Sequence, residues 1–195
     1  MERTMTEEEK WIRIRHAAKH LLAAVVFNES AKASLEKTQG SLLACMGYYY
    51  VGFHAAIAML WVTPTVAPEN LKRIRHSQLK TLVEQHLIQS KKLDRSFLLE
   101  YEQLQDFREY ANYNFGSKSP KHEYPQVAPT IEIVTDSILS KARGVLFEQL
   151  QCLDMLFGFQ SSIGDDIGSD LIKLHSGPEV AEKIWAYLVR HQLTT

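Results

Sequence analysis

Residues 41–61 read SLLACMGYYYVGFHAAIAMLW, the most apolar run of the chain. Leu42, Leu43, Met46, Tyr49, Tyr50, Phe53, Ile57, Leu60 and Trp61 recur at helical spacing, with apolar residues around much of the circumference. Such a helix needs neighbours on most of its sides, so it is expected to be the most buried element of the chain. Pro64 and Pro68 end it, because proline lacks an amide donor and disfavours helix in the residue before it.

Toward the N-terminus, Thr6 caps a first helix whose Glu7, Glu8 and Glu9 suit the positive end of a helix dipole. Trp11, Ile14, Ala18, Leu21, Leu22 and Val25 give it a stripe facing a core. Asn28 to Gly40 is either a polar join or a continuation of that helix. Toward the C-terminus, a third helix from Ser77 presents Leu79, Leu82, Val83 and Leu87. Asp94 or Ser96 caps a fourth, with Phe97, Leu98, Tyr101, Leu104, Phe107 and Ala111 at helical steps. Gly116, Pro120, Pro125 and Pro129 predict a loop over Asn114 to Pro129. A long fifth helix then runs from Ile131 through Phe157 to Gly158. A Ser, Gly and Asp-rich stretch follows Gly164, with apolar residues at Leu171 to Leu174. Pro178 to His191 then forms a last helix with Val180, Ile184, Tyr187 and Leu188 on one face. No segment alternates strictly enough to argue for a sheet. The chain is expected to be all-α: a helical bundle over 7–160 and a helical C-terminal extension over 161–195, packed on the bundle or on a partner chain.

With 195 residues, 45% of them hydrophobic and 23% charged, the chain has the composition of a folded globular protein of one domain with an appendage. A chain of this length buries about 70% of its unfolded surface, so neither a metal nor a disulfide is needed for folding. Twenty-two Lys and Arg against 23 Asp and Glu give a net charge of −1, which argues against nucleic-acid binding by bulk charge and leaves room for a local basic patch. Cys45 and Cys152 show no C-x-x-C pairing and read as buried hydrophobes of a reducing cytoplasm. The acidic N-terminus has no apolar signal region, and polar residues interrupt the apolar stretches before the roughly 18 residues a bilayer requires. A cytoplasmic location and no membrane partner are expected.

No nucleotide-binding glycine loop, no G-x-S-x-G elbow and no H-E-x-x-H pair occurs. His16 and His20 stand four apart and could share a metal, yet no third ligand follows from the sequence, and Arg13, Arg15 and Lys19 would repel a cation. They read as surface or partner-contact histidines, as do His76, His86, His122, His175 and His191; no metal or cofactor is expected. The segment from Phe107 to Asn114 stands apart. Arg108 lies four and five residues before Asn112 and Tyr113, which puts a guanidinium, an amide and a phenol on nearly one face if the helix persists that far. Such a cluster is the size of a phosphate. The structural alternative pairs Arg108 with Asp106, Glu109 or a more distant carboxylate, with Tyr110 and Tyr113 at the edge of the core.

The run Gly47-Tyr48-Tyr49-Tyr50-Val51-Gly52-Phe53-His54-Ala55-Ala56 resembles the Tyr-Tyr-x-x-Phe-His-Ala-Ala helix of HEPN domains. His76-Ser77-Gln78-Leu79 and the Arg108 to Tyr113 segment follow in that family's order, and the likeness covers about residues 10–160. It implies an up-and-down bundle of four to five helices that forms a homodimer and brings two Arg motifs into one cleft. Many HEPN proteins are metal-independent RNases of toxin-antitoxin or defence systems, and some pair with a nucleotidyltransferase. The resemblance makes Arg108 the phosphate-binding residue. It puts Tyr113 where the nuclease motif has histidine, preceded by Asn112 as an orienting residue, a pattern similar to the R-x-x-A-D-Y variant of the family. Histidine titrates near neutrality and can relay the proton of a ribose 2'-hydroxyl, whereas a tyrosine of pKa about 10 needs strong perturbation to do so. Tyr113 can donate to a phosphate or stack on an unpaired base. His54 could stand in as a base, although its place on a buried helix favours a structural hydrogen bond. Two readings follow: RNA binding at a dimer cleft, with or without endoribonuclease activity, and a non-catalytic module that holds a nucleotidyltransferase or antitoxin. Tyr113 favours the second. A bundle with no ligand is a third.

Overall fold

Helix α2, Ser41–Trp61, is the element around which the others are laid. In this computed structural model, which describes residues 5–35, 41–113, 124–164, 172 and 176–194, with the backbone alone at 41, 42, 113 and 124–129, its residues from Ala55 to Trp61 are all buried. The window Leu43–Trp61 has a mean hydropathy of 1.4, long and apolar enough by length and composition to cross a membrane; 67% of it is covered by the rest of the chain. This corrects the expectation that no stretch reaches that length. His54 is the one basic side chain in that window, and a single polar residue hardly lowers the mean over so many apolar ones.

Helix α1, Glu7–Leu35, lies antiparallel along α2, since residue numbers rise on one as they fall on the other: Arg13 reaches Trp61, His20 meets His54, and Phe27 stacks near Tyr50. Thr6 caps it as expected, its Oγ1 accepting the Glu9 amide at 3.2 Å. Helix α1 continues through Asn28 to Leu35, resolving one alternative for that segment as helix; residues 36–40 lie outside the described residues. Trp11 departs from expectation: it is 54% exposed, while Arg13 is completely buried. The guanidinium of Arg13 takes the inward position because the end of α2 offers it a set of carbonyls.

After α2 comes a short turn of helix, α3, Pro68–Leu71, and then α4, His76–Val83, which continues as a wider π-turn over Glu84–Ile88. Helix α5, Ser96–Tyr113, begins where Asp94 accepts the Ser96 amide at 2.7 Å, and it packs antiparallel to α2. Gly52 permits this approach, because a Cβ there would lie 2.9 Å from Cδ2 of Tyr101. Helix α6, Tyr124–Cys152, runs back along α5, with Lys141 bonded to Ser96 and Glu100 and with Ser137 on Glu100.

Two expectations about α6 need correction. Residues 124–129 are helical rather than loop, while 114–123 lie outside the described residues. Pro125 sits in the first turn, where its missing donor removes no helical bond, and Pro129 forfeits only the bond to the Pro125 carbonyl. The helix also stops at Cys152 instead of reaching Gly158. Asp154 turns the chain with φ 55°, the Met155 amide closes on the Leu150 carbonyl at 2.8 Å, and a separate helix α7, Leu156–Gly164, follows. A boundary at residue 160 falls inside this helix. Cys45 is buried, but Cys152 is exposed at that turn, contrary to expectation.

Helix α8, Pro178–Arg190, packs on α1 of the same chain and buries Ile184 and Leu188 completely, with Leu193 beyond its end at 1% exposure. These join the core that also contains Leu21, Ile57, Leu104 and Leu146. The fold is therefore an all-α bundle. Its long helices α1, α2, α5 and α6 alternate in direction, and α7 and α8 lie against α1. No strand occurs among the described residues.

Candidate functional site

Arg108 projects from α5 toward the middle of α2. Its guanidinium carbon stands 4.9 Å from the centroid of the Tyr49 ring, a cation-π contact. Neither proposed partner takes it: Glu109 accepts instead from Gln105 at 2.9 Å, Asp106 is exposed, and among the described residues no carboxylate pairs with Arg108. Arg108 is half-buried and faces solvent over an aromatic floor. Helix α5 persists to Tyr113, so Asn112, which is exposed, lies one turn beyond Arg108 on the same side. The Tyr113 side chain is outside the described residues.

The floor is built from tyrosines of two helices and a histidine of a third. The Tyr101 hydroxyl donates to the Tyr49 hydroxyl at 2.9 Å, and that hydroxyl lies 2.6 Å from Nδ1 of His76 at the start of α4. The His76 ring packs 4.2 Å from the Phe53 centroid. Tyr49 and Tyr101 are each 1% exposed, whereas His76 is open to solvent. Burial raises the Tyr49 phenol, which the hydrogen bond from Tyr101 and the Arg108 charge partly offset. Burial, and then the hydrogen bond to Tyr49, raises Tyr101 further above the ordinary phenol. Burial and the charge of Arg108 hold His76 below its ordinary value. At neutral pH all three are uncharged, and Arg108 supplies the positive charge of this surface.

A second histidine cluster lies deeper between α1 and α2. The Nδ1 atoms of His20 and His54 are 2.8 Å apart, so one donates and the other accepts. Burial, then the charge of the neighbouring histidine, brings the His20 pKa down to about 3; burial, then His76, brings His54 to about 4. His54 thus makes the structural hydrogen bond that its position favours. His16 and His20 are both half-buried: His20 bonds to His54, and His16 stacks flat on Trp61 at 4.2 Å, so each has a partner within its own chain. No group of three His, Cys, Asp or Glu side chains suited to a metal occurs among the described residues.

A cavity of about 420 Å³ opens between α1, α6 and α8, lined by Lys32, Asp136, Arg143, Lys183 and Tyr187 among others. Its charges are mixed: Lys32 pairs with Asp136 at 3.3 Å, and Arg143 lies over the Tyr187 ring.

Sequence reading singles out Arg108 and Asn112 but misses their surroundings. Tyr49, Tyr101 and His76 reach the site from 59, 7 and 32 positions away in the chain. The signals available are the tyrosine run of α2, which includes Tyr49, and the His-Ser opening of α4, which marks His76 as the start of a helix; neither indicates what these residues face. No family model, curated protein or solved structure matches this chain. The likeness to HEPN domains therefore rests on the quoted segments alone.

Proposed function

We propose that this protein is a HEPN-like homodimer of the cytoplasm that binds RNA through the surface centred on Arg108. One observation carries the reading. A guanidinium without a carboxylate partner among the described residues is held over a tyrosine face, beside an exposed histidine and one turn from an exposed amide. Such a surface suits an oxyanion: the cation attracts it, the planar fork orients it, and the ring beneath keeps the fork from collapsing onto the helix. Tyr49 and Tyr101 are buried, so they support the cation from beneath and leave RNA recognition at this surface to phosphate contacts.

With a net charge of −1, affinity has to come from a small number of phosphate contacts, so it should fall steeply with salt. Fluorescence anisotropy with a labelled mixed-sequence RNA at increasing NaCl tests this. Arg108→Ala is expected to weaken binding at least tenfold at low salt while the far-UV spectrum and unfolding midpoint stay as in the wild type. Equal binding by both proteins would remove the site. The enzymatic form of the reading is a metal-independent endoribonuclease of a toxin-antitoxin or defence system, with Arg108, Asn112 and Tyr113 as its residues. Incubation with RNA in EDTA tests it: cleavage by the wild type that is lost in Arg108→Ala supports it.

The second reading, a non-catalytic module that pairs with a nucleotidyltransferase or antitoxin, is favoured by Tyr113 in the place of the motif histidine. In that case the Arg108 surface faces a protein, and RNA binding is absent from the isolated chain.

A further inference from the structure

The hydrogen bonds around Tyr49 favour one tautomer of His76. Tyr101 is sealed in the core, and the oxygen of Tyr49, 2.9 Å away, accepts its proton. A hydroxyl has one proton to give. The Tyr49 oxygen could accept from both neighbours, but its own proton would then be buried without an acceptor; given to Nδ1 of His76 at 2.6 Å, both hydroxyl protons find a partner. A neutral imidazole that accepts at Nδ1 bears its hydrogen on Nε2. The ring is neutral at pH 7, because burial and the Arg108 charge both oppose a second proton. The groups that face it are Tyr49, Tyr50, Phe53 and His54 from α2 and Arg108 from α5; none of these is an anion. Nε2 has no acceptor among the described residues, and neither has the guanidinium of Arg108. Two donors without acceptors thus border one tyrosine: Arg108 over its face and His76 at its hydroxyl.

We infer that Arg108 and the Nε2–H of His76 form a two-donor clamp for a single phosphodiester group of RNA, and that the clamp binds this group without cleaving it. The inference rests on the RNA reading and extends it. Cleavage by ribose attack needs a group to take the proton from the 2'-hydroxyl as its oxygen bonds to phosphorus and the 5'-oxygen departs. The lone pair of His76 that would do so is the one turned toward Tyr49. Its solvent-facing nitrogen is a donor, suited to an oxygen that already carries negative charge. Tyr49 and Tyr101 are positioning residues, which hold the tautomer and touch no ligand.

Nitrogen-15 NMR of histidine-labelled protein reads the tautomer directly. At pH 7 His76 is expected to show a protonated Nε2 and an unprotonated Nδ1, and Tyr49→Phe is expected to give a mixture of the two tautomers. Titration with a mixed-sequence 12-mer RNA in EDTA should shift the Nε2–H resonance and leave the RNA intact. His76→Ala should weaken binding about tenfold, whereas His76→Gln, which retains an N–H donor, should remain within about threefold of the wild type. His76 is exposed but bonds to buried Tyr49 and packs on Phe53, so the unfolding midpoint of each variant is measured alongside its affinity, and binding is compared well below that midpoint. If His76→Ala binds RNA as well as the wild type while Arg108→Ala does not, the clamp is wrong and the RNA site stands. A wild-type protein that binds no RNA overturns both. A proton on Nδ1 at pH 7, or cleavage that depends on His76, overturns the clamp alone.

Discussion

A guanidinium without exposed surface must find an acceptor for its N–H groups, and Arg13 does so with five hydrogen bonds. Two go to Oε1 of Glu9, at 3.0 and 2.9 Å, and the others to the carbonyls of Trp61, Thr63 and Val66. These carbonyls close the C-terminal end of α2 and its following turn, where a helix dipole is negative and backbone acceptors lack partners. Arg13→Ala would take this donor from the carbonyls and from the half-buried Glu9 carboxylate, and would leave a cavity in its place. Loss of one partner from a buried pair costs about 3–5 kcal/mol, so the urea midpoint of this variant should fall far enough to be seen at 25 °C. Arg13→Lys should lie between, since an ammonium cannot span three carbonyls. His20 and His54 make the stability depend on pH. Their folded pKa values, about 3 and about 4, lie below the ordinary 6.5, so below that pH the unfolded chain binds protons that the folded one refuses. Stability is then full above pH 6.5 and falls as the pH drops toward 4, at up to about 1.4 kcal/mol per unit for each ring. Urea unfolding at pH 7, 6 and 5 checks this; His54→Gln should flatten the slope, and a midpoint constant across that range would contradict the neutral pair.

Among the elements, the contact of α2 with α5 holds the candidate site together. A methyl on Gly52 would press on the Tyr101 ring at 2.9 Å and on Leu104 at 3.3 Å, both fixed in the core. Gly52→Ala should therefore destabilise by about 1–3 kcal/mol, as overpacking does, even though alanine is the better helix former. It should also loosen the bond from Tyr101 to Tyr49, which His76 NMR would register as a tautomer mixture. Lys91 presents the opposite opportunity: after the π-turn it adopts φ 59°, a conformation that costs a residue with a Cβ roughly 1–2 kcal/mol. Lys91→Gly removes that strain at the expense of a freer unfolded chain, about 0.4–1 kcal/mol, and should raise the unfolding midpoint slightly. The elements themselves were largely legible. Apolar spacing located α1, α2, α5 and α8, and Thr6 and Asp94 announced their helix starts. The break at Asp154 was not legible, because the apolar pattern from Leu150 through Leu153 to Phe157 continues across a turn that the backbone makes in the left-handed region. Nor was the inward turn of Arg13, since a charged residue beside Trp11 and Ile14 reads as surface until the carbonyls at the end of α2 are placed opposite it. The site was legible only where it is local. Arg108 and Asn112 are four residues apart on one helix, but the tyrosines and histidine that support Arg108 come from separate elements, and no spacing rule links them.

On the scale of the molecule, the question is whether the C-terminal helix is an appendage or part of the core. Composition changes after Gly164, which invites the first view; burial argues for the second. Ile184 and Leu188 are fully buried and Leu193 nearly so, all packed in the core shared with α1 and α2. Full burial of one such side chain contributes about 1.5–3 kcal/mol, so removing residues 178–195 forfeits roughly 5–9 kcal/mol and exposes the apolar face of α1 beneath them. A domain is stable by about 5–15 kcal/mol in total, so the truncated chain should be at best partly folded and prone to aggregate. Leu188→Ala removes a single buried side chain and should lower stability by about 2–5 kcal/mol, with most of its effect retained when protein concentration is varied tenfold, because α8 packs on its own chain. If Leu188→Ala and the truncated chain both unfold at the wild-type urea midpoint, α8 is an appendage and the bundle is complete without it. A loss of stability that disappears at high protein concentration would instead mean that α8 belongs to the contact between two copies.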